Sequence, residues 1–287
     1  MSIGQVQIQP STLYVVATPI GNLADITLRA LEVLKQVSAI AAEDTRNTRK
    51  LLNYYAIDNQ LMSLHEHNEQ EKLEKLLQRL NSGESIALVS DAGTPLINDP
   101  GYLLVQACRE QQIAVVPVPG ASAVVTALSV SGLATDSFRY CGFPPRQSAK
   151  RRQFFEKLSD ETATLVFYES SHRIQGCLAD ALTVFGADRK SCLAREITKL
   201  YETFKTASLE EIIEFVEADN NQLKGEFVLI VAGIEATGEQ KATGLDVDKL
   251  LEKLLQEMPV KKAAAIVAEV SGLKKNRLYQ KALEIKS

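Results

Sequence analysis

The sequence is sparing with cysteine: Cys108, Cys141, Cys177 and Cys192 stand 33, 36 and 15 residues apart, with no CxxC pair. That spacing speaks against a zinc knuckle or a redox dithiol, and buried free thiols are the expectation. Long apolar runs are missing too. Stretches such as 113–118 and 229–232 are far shorter than a bilayer crossing needs and suit buried strands instead. The first ten residues hold no basic start followed by an apolar run, so a secretory leader is not expected and a cytoplasmic, membrane-free protein is. Also lacking is a G-x-G-x-x-G fingerprint after the first strand, which removes the usual dinucleotide-binding signature.

What is present is an ordinary globular composition, 45% hydrophobic and 24% charged. At 287 residues the chain exceeds what one core usually serves, so two domains and a small appendage are expected. The net charge of -4 is unevenly spread. Residues 1–244 carry 23 basic against 30 acidic side chains, and 245–287 carry nine against six, so an acidic body precedes a basic tail.

Short β-branched runs alternate with amphipathic stretches, the pattern of βα units around a mainly parallel sheet. Strands are predicted over 13–17, 39–42, 61–64, 86–89 and 114–118, with helices over 26–37, 45–54, 70–80 and 102–111. Asn81-Ser82-Gly83 reads as a helix stop and Asp25 as a cap for the first helix. A second series has strands over 139–142, 164–168, 191–195, 202–206 and 227–231 and helices over 150–158, 172–185 and 209–217, the last opening on a Ser208/Glu211 capping box. Strands near 191–206 without a helix between them imply a hairpin and a mixed sheet. The expected organisation is an N-terminal tail over 1–11, an α/β domain over 12–118, a second over 119–233, a linker over 234–246 and a helical, helix-turn-helix-like appendage over 247–287.

Four segments at predicted strand ends are rich in glycine, proline and small polar residues. In an open α/β sheet, ligands bind at this edge. They are ATPIGNLADIT from Ala17, AEDTR from Ala42, SDAGTPLINDPG from Ser90 and PVPGASA from Pro117. The third is longer than a connection requires, and its exposed amides and carbonyls suit a polar ligand. Glu43 and Asp44 put two carboxylates where a strand becomes a helix; the helix dipole alone favours acids there, and a proton acceptor is the functional alternative.

These segments, followed by GFPPR, FYESSHR and REITKLYE, resemble the tetrapyrrole-methylase-like fold family of S-adenosylmethionine-dependent enzymes, over about residues 12–233 and on into the tail. The motifs are most similar to a branch that methylates a ribose 2′-hydroxyl of a decoding-region cytidine in 16S rRNA. The resemblance implies two α/β domains with the cofactor folded between them, no metal, and a homodimer acting on 16S rRNA, within the small ribosomal subunit. It assigns the cofactor to Pro19, Ala92, Gly93, Thr94, Ile97, Ser122, Ala123, Glu169, Ile197 and Gly225, with Glu226 beside the last. Asp44 matches a position proposed as proton acceptor in porphyrin-methylating relatives; Glu43 departs from their pattern, which leaves open which carboxylate acts.

Methyl transfer to a hydroxyl is an in-line displacement that discharges a cation, so alignment matters most and a neutral, backbone-lined cofactor loop is expected. Arg46, Arg49, Arg146, Lys150, Arg151 and Arg152 are candidate phosphate contacts, as are Lys274, Lys275 and Arg277 in the tail. His172 and Lys199 are rival site residues. Two other readings share the fold: methylation of a small tetrapyrrole, which the basic tail disfavours, and a non-catalytic RNA-binding protein, which the carboxylates and the intact cofactor loop disfavour.

Overall fold

The computed structural model describes residues 6–234, 247–271 and 275–286. The expected linker therefore lies outside the described residues except for Ile234, as do Gly272, Leu273 and Lys274. The first sheet is built by β1 (Thr12–Val16), β2 (Ala39–Ala42), β3 (Leu61–Ser63), β4 (Ile86–Val89) and β5 (Ala114–Val118), in the order β3-β2-β4-β1-β5 with every pair parallel. Its helices are α1 (Leu28–Gln36), α2 (Thr45–Tyr54), α3 (Glu69–Asn81) and α4 (Tyr102–Glu110). β2 and β4 are buried along their whole length, which is why AIAA and IALV are uninterrupted apolar runs. Alternate residues of β1 face opposite cores: Tyr14 and Val16 pack with α1, while Leu13 packs with α3 and α4.

The second series follows: α5 (Ala123–Val130), β6 (Phe138–Tyr140), α6 (Ser148–Glu156), β7 (Thr164–Ser170), α7 (Ile174–Phe185), β8 (Lys190–Arg195), β9 (Thr203–Ser208), α8 (Leu209–Ala218) and β10 (Glu226–Val231). The sheet order is β6-β7-β10-β8-β9, parallel at β6/β7 and antiparallel elsewhere, so the expected hairpin and mixed sheet are both present. One face packs on α6, α7 and α8 around Phe155, Phe167 and Leu178, and the other on Val124, Ala127 and Leu128 of α5.

Local chemistry fixes several helix ends. Ser208 and Glu211 form the predicted capping box of α8, and Gly83, at φ 99°, takes the left-handed turn after α3. The cap of α1 is a correction: Thr27, not Asp25, accepts the Ala30 amide at 3.1 Å, because Asp25 sits inside a short 3-10 turn over Leu23–Asp25.

Both sheets belong to one compact unit, Met1–Ser159 with Ala163–Ala232; the second comprises Asp160–Thr162 and Gly233–Ser287. In the latter, α9 (Val247–Glu257), α10 (Val260–Ser271) and α11 (Lys275–Lys286) enclose a small core of Leu251, Ala263, Ala264, Val267, Leu278 and Ala282. Among the described residues no helix is long and apolar enough to cross a membrane.

Candidate active site

The order of the first sheet dictates where a ligand can enter. From β1 the chain runs past β4 to β2, whereas from β4 it runs past β1 to β5. With right-handed crossovers, the loops leaving these neighbouring strands depart to opposite faces and open a crevice between them. The loop after β1 and the loop after β4 meet there. Thr18 donates to the Gly93 carbonyl at 2.9 Å and the Gly93 amide donates back to Thr18 at 3.0 Å, while the Thr94 hydroxyl donates to Ala121 of the loop after β5 at 3.1 Å. Gly93 has φ 80°, the left-handed region that favours glycine, and a Cβ added there would stand 3.2 Å from Ile20 Cγ2, which would have to give way. Gly120 is equally constrained, 2.9 Å from the Ala17 methyl on the same construction.

These loops line a cavity of about 390 Å³, a volume suited to a small cofactor. Of the positions assigned to the cofactor from sequence, Ala92, Gly93, Thr94, Ile97, Ser122, Ala123, Glu169 and Ile197 lie on its wall. Pro19 lies on an adjoining cavity of about 270 Å³ with Asn47, Lys50 and Lys199, and Gly225 precedes the wall residue Glu226. The second sheet contributes Tyr168, Glu169 and Ser170 from β7 and Glu226, Phe227 and Val228 from β10, so both sheets share one cavity. Among the described residues no group of His, Cys, Asp and Glu is arranged to hold a metal ion.

Leu96 and Asn98 adopt left-handed φ angles of 72° and 75°, unusual for residues with a side chain. Strain of this kind persists where surrounding bonds hold the loop, and it gathers at functional sites. The loop over 196–199 behaves alike: Glu196 and Thr198 have φ of 50° and 67°, and the Thr198 hydroxyl accepts the Asn22 amide at 3.0 Å, stitching the second sheet to the loop after β1.

The wall is not neutral, contrary to the expectation from the reaction. Glu43, Asp91, Asp99, Glu169 and Glu226 line it and no Lys, Arg or His does. Cations and amides behind the wall moderate that charge. Arg173 pairs with the fully buried Glu169 at 3.1 Å, Lys199 bridges Glu196 and Glu226 at 2.8 Å each, and Asp91 accepts the Asp44 amide at 3.0 Å and the Asn47 side chain at 3.1 Å. Burial pushes the Glu43 carboxyl up, with Asp91 and Asp44 adding to the shift against the Asp91 amide that bonds it. Burial raises Asp99 further, to about 6, with Glu43 and Asp91 again reinforcing.

The two carboxylates singled out by sequence part company. Glu43 lines the cavity. Asp44 is absent from its wall, caps α2 by accepting the Arg46 amide at 2.8 Å, and binds the Arg46 guanidinium through both oxygens at 2.7–3.2 Å. The Arg46 side chain and amide hold its carboxyl down, at about 2, which makes it a poor proton acceptor.

The candidate phosphate contacts divide as well. Arg46, Arg146, Lys150 and Arg152 are exposed, as is Lys275; Arg49 is half-buried, with its guanidinium 3.4 Å from the Asn59 carbonyl. Arg151 is a correction. It is only 6% exposed, pairs with Asp180 at 2.6 Å, and donates to the carbonyls of Pro145 and Arg146. A basic run looked solvated in sequence, but α6 turns this one member inward against α7. Lys274 and the side chain of Arg277 lie outside the described residues. His172 is exposed ahead of α7, and Lys199 is engaged in its two ion pairs. Sequence reading gave no role to Asp91 and Asp99, although both lie within the loop it chose, nor to Phe143 and Tyr168, whose rings meet edge-on at 5.6 Å. These last two sit within GFPPR and FYESSHR, so the motifs were legible though the residues were not.

Comparison with known proteins accounts for this architecture. Residues 12–213 match the family model of tetrapyrrole (corrin/porphyrin) methylases, and residues 241–286 match that of the RsmI C-terminal HTH domain. The chain is 54% identical over 272 residues, 95% of its length and 94% of the relative's, to the ribosomal RNA small subunit methyltransferase I of Escherichia coli O157:H7. It is 51% identical to the protein of the same name from Haemophilus influenzae, covering 93% of this chain and 95% of that one. Among solved structures, a diphthine synthase superposes with TM-score 0.57 at 13% identity, covering 77% and 90% of the two chains. A Thermus thermophilus uroporphyrin-III C-methyltransferase complexed with S-adenosyl homocysteine gives 0.54 at 18% identity, covering 77% and 97%. At such identities the two structures speak for the fold. The chain belongs to the tetrapyrrole (corrin/porphyrin) methylase family, in the group of the ribosomal RNA small subunit methyltransferases I.

Proposed function

We propose that the protein transfers the methyl group of S-adenosylmethionine to a ribose 2′-hydroxyl of a decoding-region cytidine in 16S rRNA, within the small ribosomal subunit, and works as a cytoplasmic homodimer. The observation that carries the reading is the cavity at the β1/β4 crevice, lined by residues of the loops in which the family motifs lie. Its fit to the cofactor rests on chemistry. A sulfonium carries positive charge, and five acidic side chains line the wall. When bound, the cofactor supplies an electrophilic methyl group.

The chain's own part is alignment and proton transfer. The Thr18/Gly93 and Thr94/Ala121 bonds fix the loops before a ligand arrives, which lowers the cost of ordering them during reaction. The acceptor must lose a proton, so a wall carboxylate is needed; of the two that the sequence singled out, Glu43 has the position and Asp44 serves the helix and Arg46 instead.

The test is transfer of labelled methyl to small subunits from cells that lack the protein, followed by mass mapping of ribose methylation. One modified decoding-region cytidine is expected; label on a tetrapyrrole and none on rRNA refutes the reading. We further expect Lys261→Glu, Lys262→Glu and Lys275→Glu, combined in one chain, to lower rRNA affinity by about tenfold or more at low salt and to flatten its salt dependence. All three side chains are exposed in the tail. Calorimetry checks the complement, an unchanged affinity for the cofactor.

A further inference from the structure

Two cavities adjoin at the β1/β4 crevice and share Ile20, Asp91, Ala92 and Glu226. Their charges differ. The larger, of about 390 Å³, is lined by five carboxylates and no cation, whereas the smaller, of about 270 Å³, sets Lys50 and Lys199 against Asp91 and Glu226. The first suits a cation, and the second can admit an anion. The two lysines are not alike. Lys199 donates to Glu196 and Glu226 at 2.8 Å each, so its charge is neutralised within the protein. Lys50 has no carboxylate partner among the described residues; its ammonium meets the Asn47 side-chain oxygen at 3.4 Å. Asn47 in turn donates to Asp91 at 3.1 Å, which holds its amide at both ends. The placement follows from α2: Thr48, Leu51 and Leu52 form its buried face, and Asn47 and Lys50, one turn apart, share the exposed one. An ammonium with donors to spare thus stands at a cavity wall.

The covalent structure of the acceptor says what an anion would be doing there. The 2′-oxygen of a ribose and its 3′-phosphodiester are borne by neighbouring carbons, so an enzyme that brings this hydroxyl to a methyl group brings a phosphate with it. That phosphate needs a place beside the donor cavity and not inside it, because the five carboxylates there repel an anion.

We infer that the smaller cavity seats the phosphodiester next to the reacting ribose, and that Lys50 is the residue that holds it. The inference rests on the ribose-methylation reading above. Lys50 touches neither the methyl group nor the hydroxyl proton. It fixes the ribose through the neighbouring anion, by a charge-assisted hydrogen bond that a sugar without the phosphate cannot make. Lys199, held between two glutamates, shapes the same wall without adding free charge.

The experiment compares the full-length protein with Lys50→Gln, Lys50→Arg and Lys35→Gln, the last removing an equal charge from the exposed face of α1. Lys50 is exposed, so these variants leave the core untouched, and thermal denaturation checks that they fold. Methyl transfer to small subunits from cells that lack the protein is measured over a range of subunit and salt concentrations, alongside calorimetric affinity for S-adenosylmethionine. Lys50→Gln is expected to raise the KM for subunits by about tenfold, to lower the slope of log affinity against log salt by about one, and to keep donor affinity within about twofold. Lys50→Arg keeps a cation at the position and should retain the slope, and Lys35→Gln should match the parent. Nuclear magnetic resonance supplies a readout that does not need turnover. Cytidine 3′-monophosphate should shift the Asn47 side-chain amide of the parent where cytidine does not, and the shift should vanish in Lys50→Gln. Parental KM and slope in Lys50→Gln, or an equal loss in Lys35→Gln, overturns the assignment while leaving ribose methylation intact. An equal loss of donor affinity in Lys50→Gln also overturns it, by giving the smaller cavity to the cofactor. A parent protein that places no methyl on rRNA overturns both readings.

Discussion

Arg151→Ala is expected to destabilise the protein by about 3–5 kcal/mol, because it strands a buried carboxylate. Asp180 is 7% exposed and loses the guanidinium that bonds it at 2.6–2.7 Å, retaining the Ser148 hydroxyl at 2.9 Å and Arg152 no nearer than 4.0 Å. The carbonyls of Pro145 and Arg146 lose their donor in the same step. Arg173 holds the neighbouring Pro144 carbonyl, so the two arginines pin the whole turn of GFPPR to the helix pair α6/α7. Urea denaturation measures the loss, and the paired variant Arg151→Met with Asp180→Leu should recover most of it, since an apolar pair of similar size leaves no charge unpaired. A merely solvated arginine would show less than about 0.5 kcal/mol. Arg146→Ala makes the contrast: its side chain is exposed, and stability should hold while rRNA affinity falls.

Gly21→Val should cripple the site without unfolding the molecule. A Cβ at Gly21 would stand 2.6 Å from Lys199 Cγ, 2.7 Å from Thr198 Oγ1 and 2.9 Å from the Ile197 carbonyl. The lysine stem can swing aside, but the carbonyl belongs to a strained segment bonded at both ends. Relief must come from parting the loop after β1 from the loop over 196–199, which breaks the Asn22 to Thr198 bond and withdraws Ile197 from the cavity wall. A displacement of about 1 Å at such a point costs on the order of 100-fold in rate, and we expect that loss in transfer together with a fall in cofactor affinity. Gly21 itself belongs to none of the hydrophobic clusters, but Ile20 and Ile197 beside it pack with α5, so the denaturation temperature should fall modestly while the molecule still folds. Unchanged calorimetric affinity for S-adenosylmethionine would show that the two loops are not jointly required.

The elements of this fold were legible because their signals are local. Tyr14 and Val16 alternate with Leu13 in β1, Ser208 and Glu211 announce α8, and Gly83 closes α3, each within a few residues of chain. The cofactor loops were legible for a similar reason: glycine, proline and small polar residues cluster at strand ends, and the fold uses Gly93 for a left-handed φ and Gly120 for a close approach to the Ala17 methyl. Charge was read less well. Arg46, Arg151 and Arg152 look alike in sequence, yet the first neutralises Asp44, the second is buried on Asp180 and the third is exposed. Asp99 was passed over because nothing in NDPG distinguishes a half-buried carboxylate from a turn residue.

From sequence alone came the alternation of strands and helices, the placing of small-residue loops at strand ends, the acidic body with its basic tail, and the family. Tertiary structure alone decided that β4 inserts between β2 and β1, so that the loops joined at Thr18 and Gly93 open one crevice, and it decided which acids line that crevice and which serve a helix or an arginine. The physical reason is range. Backbone conformation answers to neighbours a few residues away, whereas the burial of a charge, and with it the basicity of a carboxylate, depends on groups that only folding brings near: Asp180 reaches Arg151 across 29 residues, and Glu43 meets the Asp91 amide across 48.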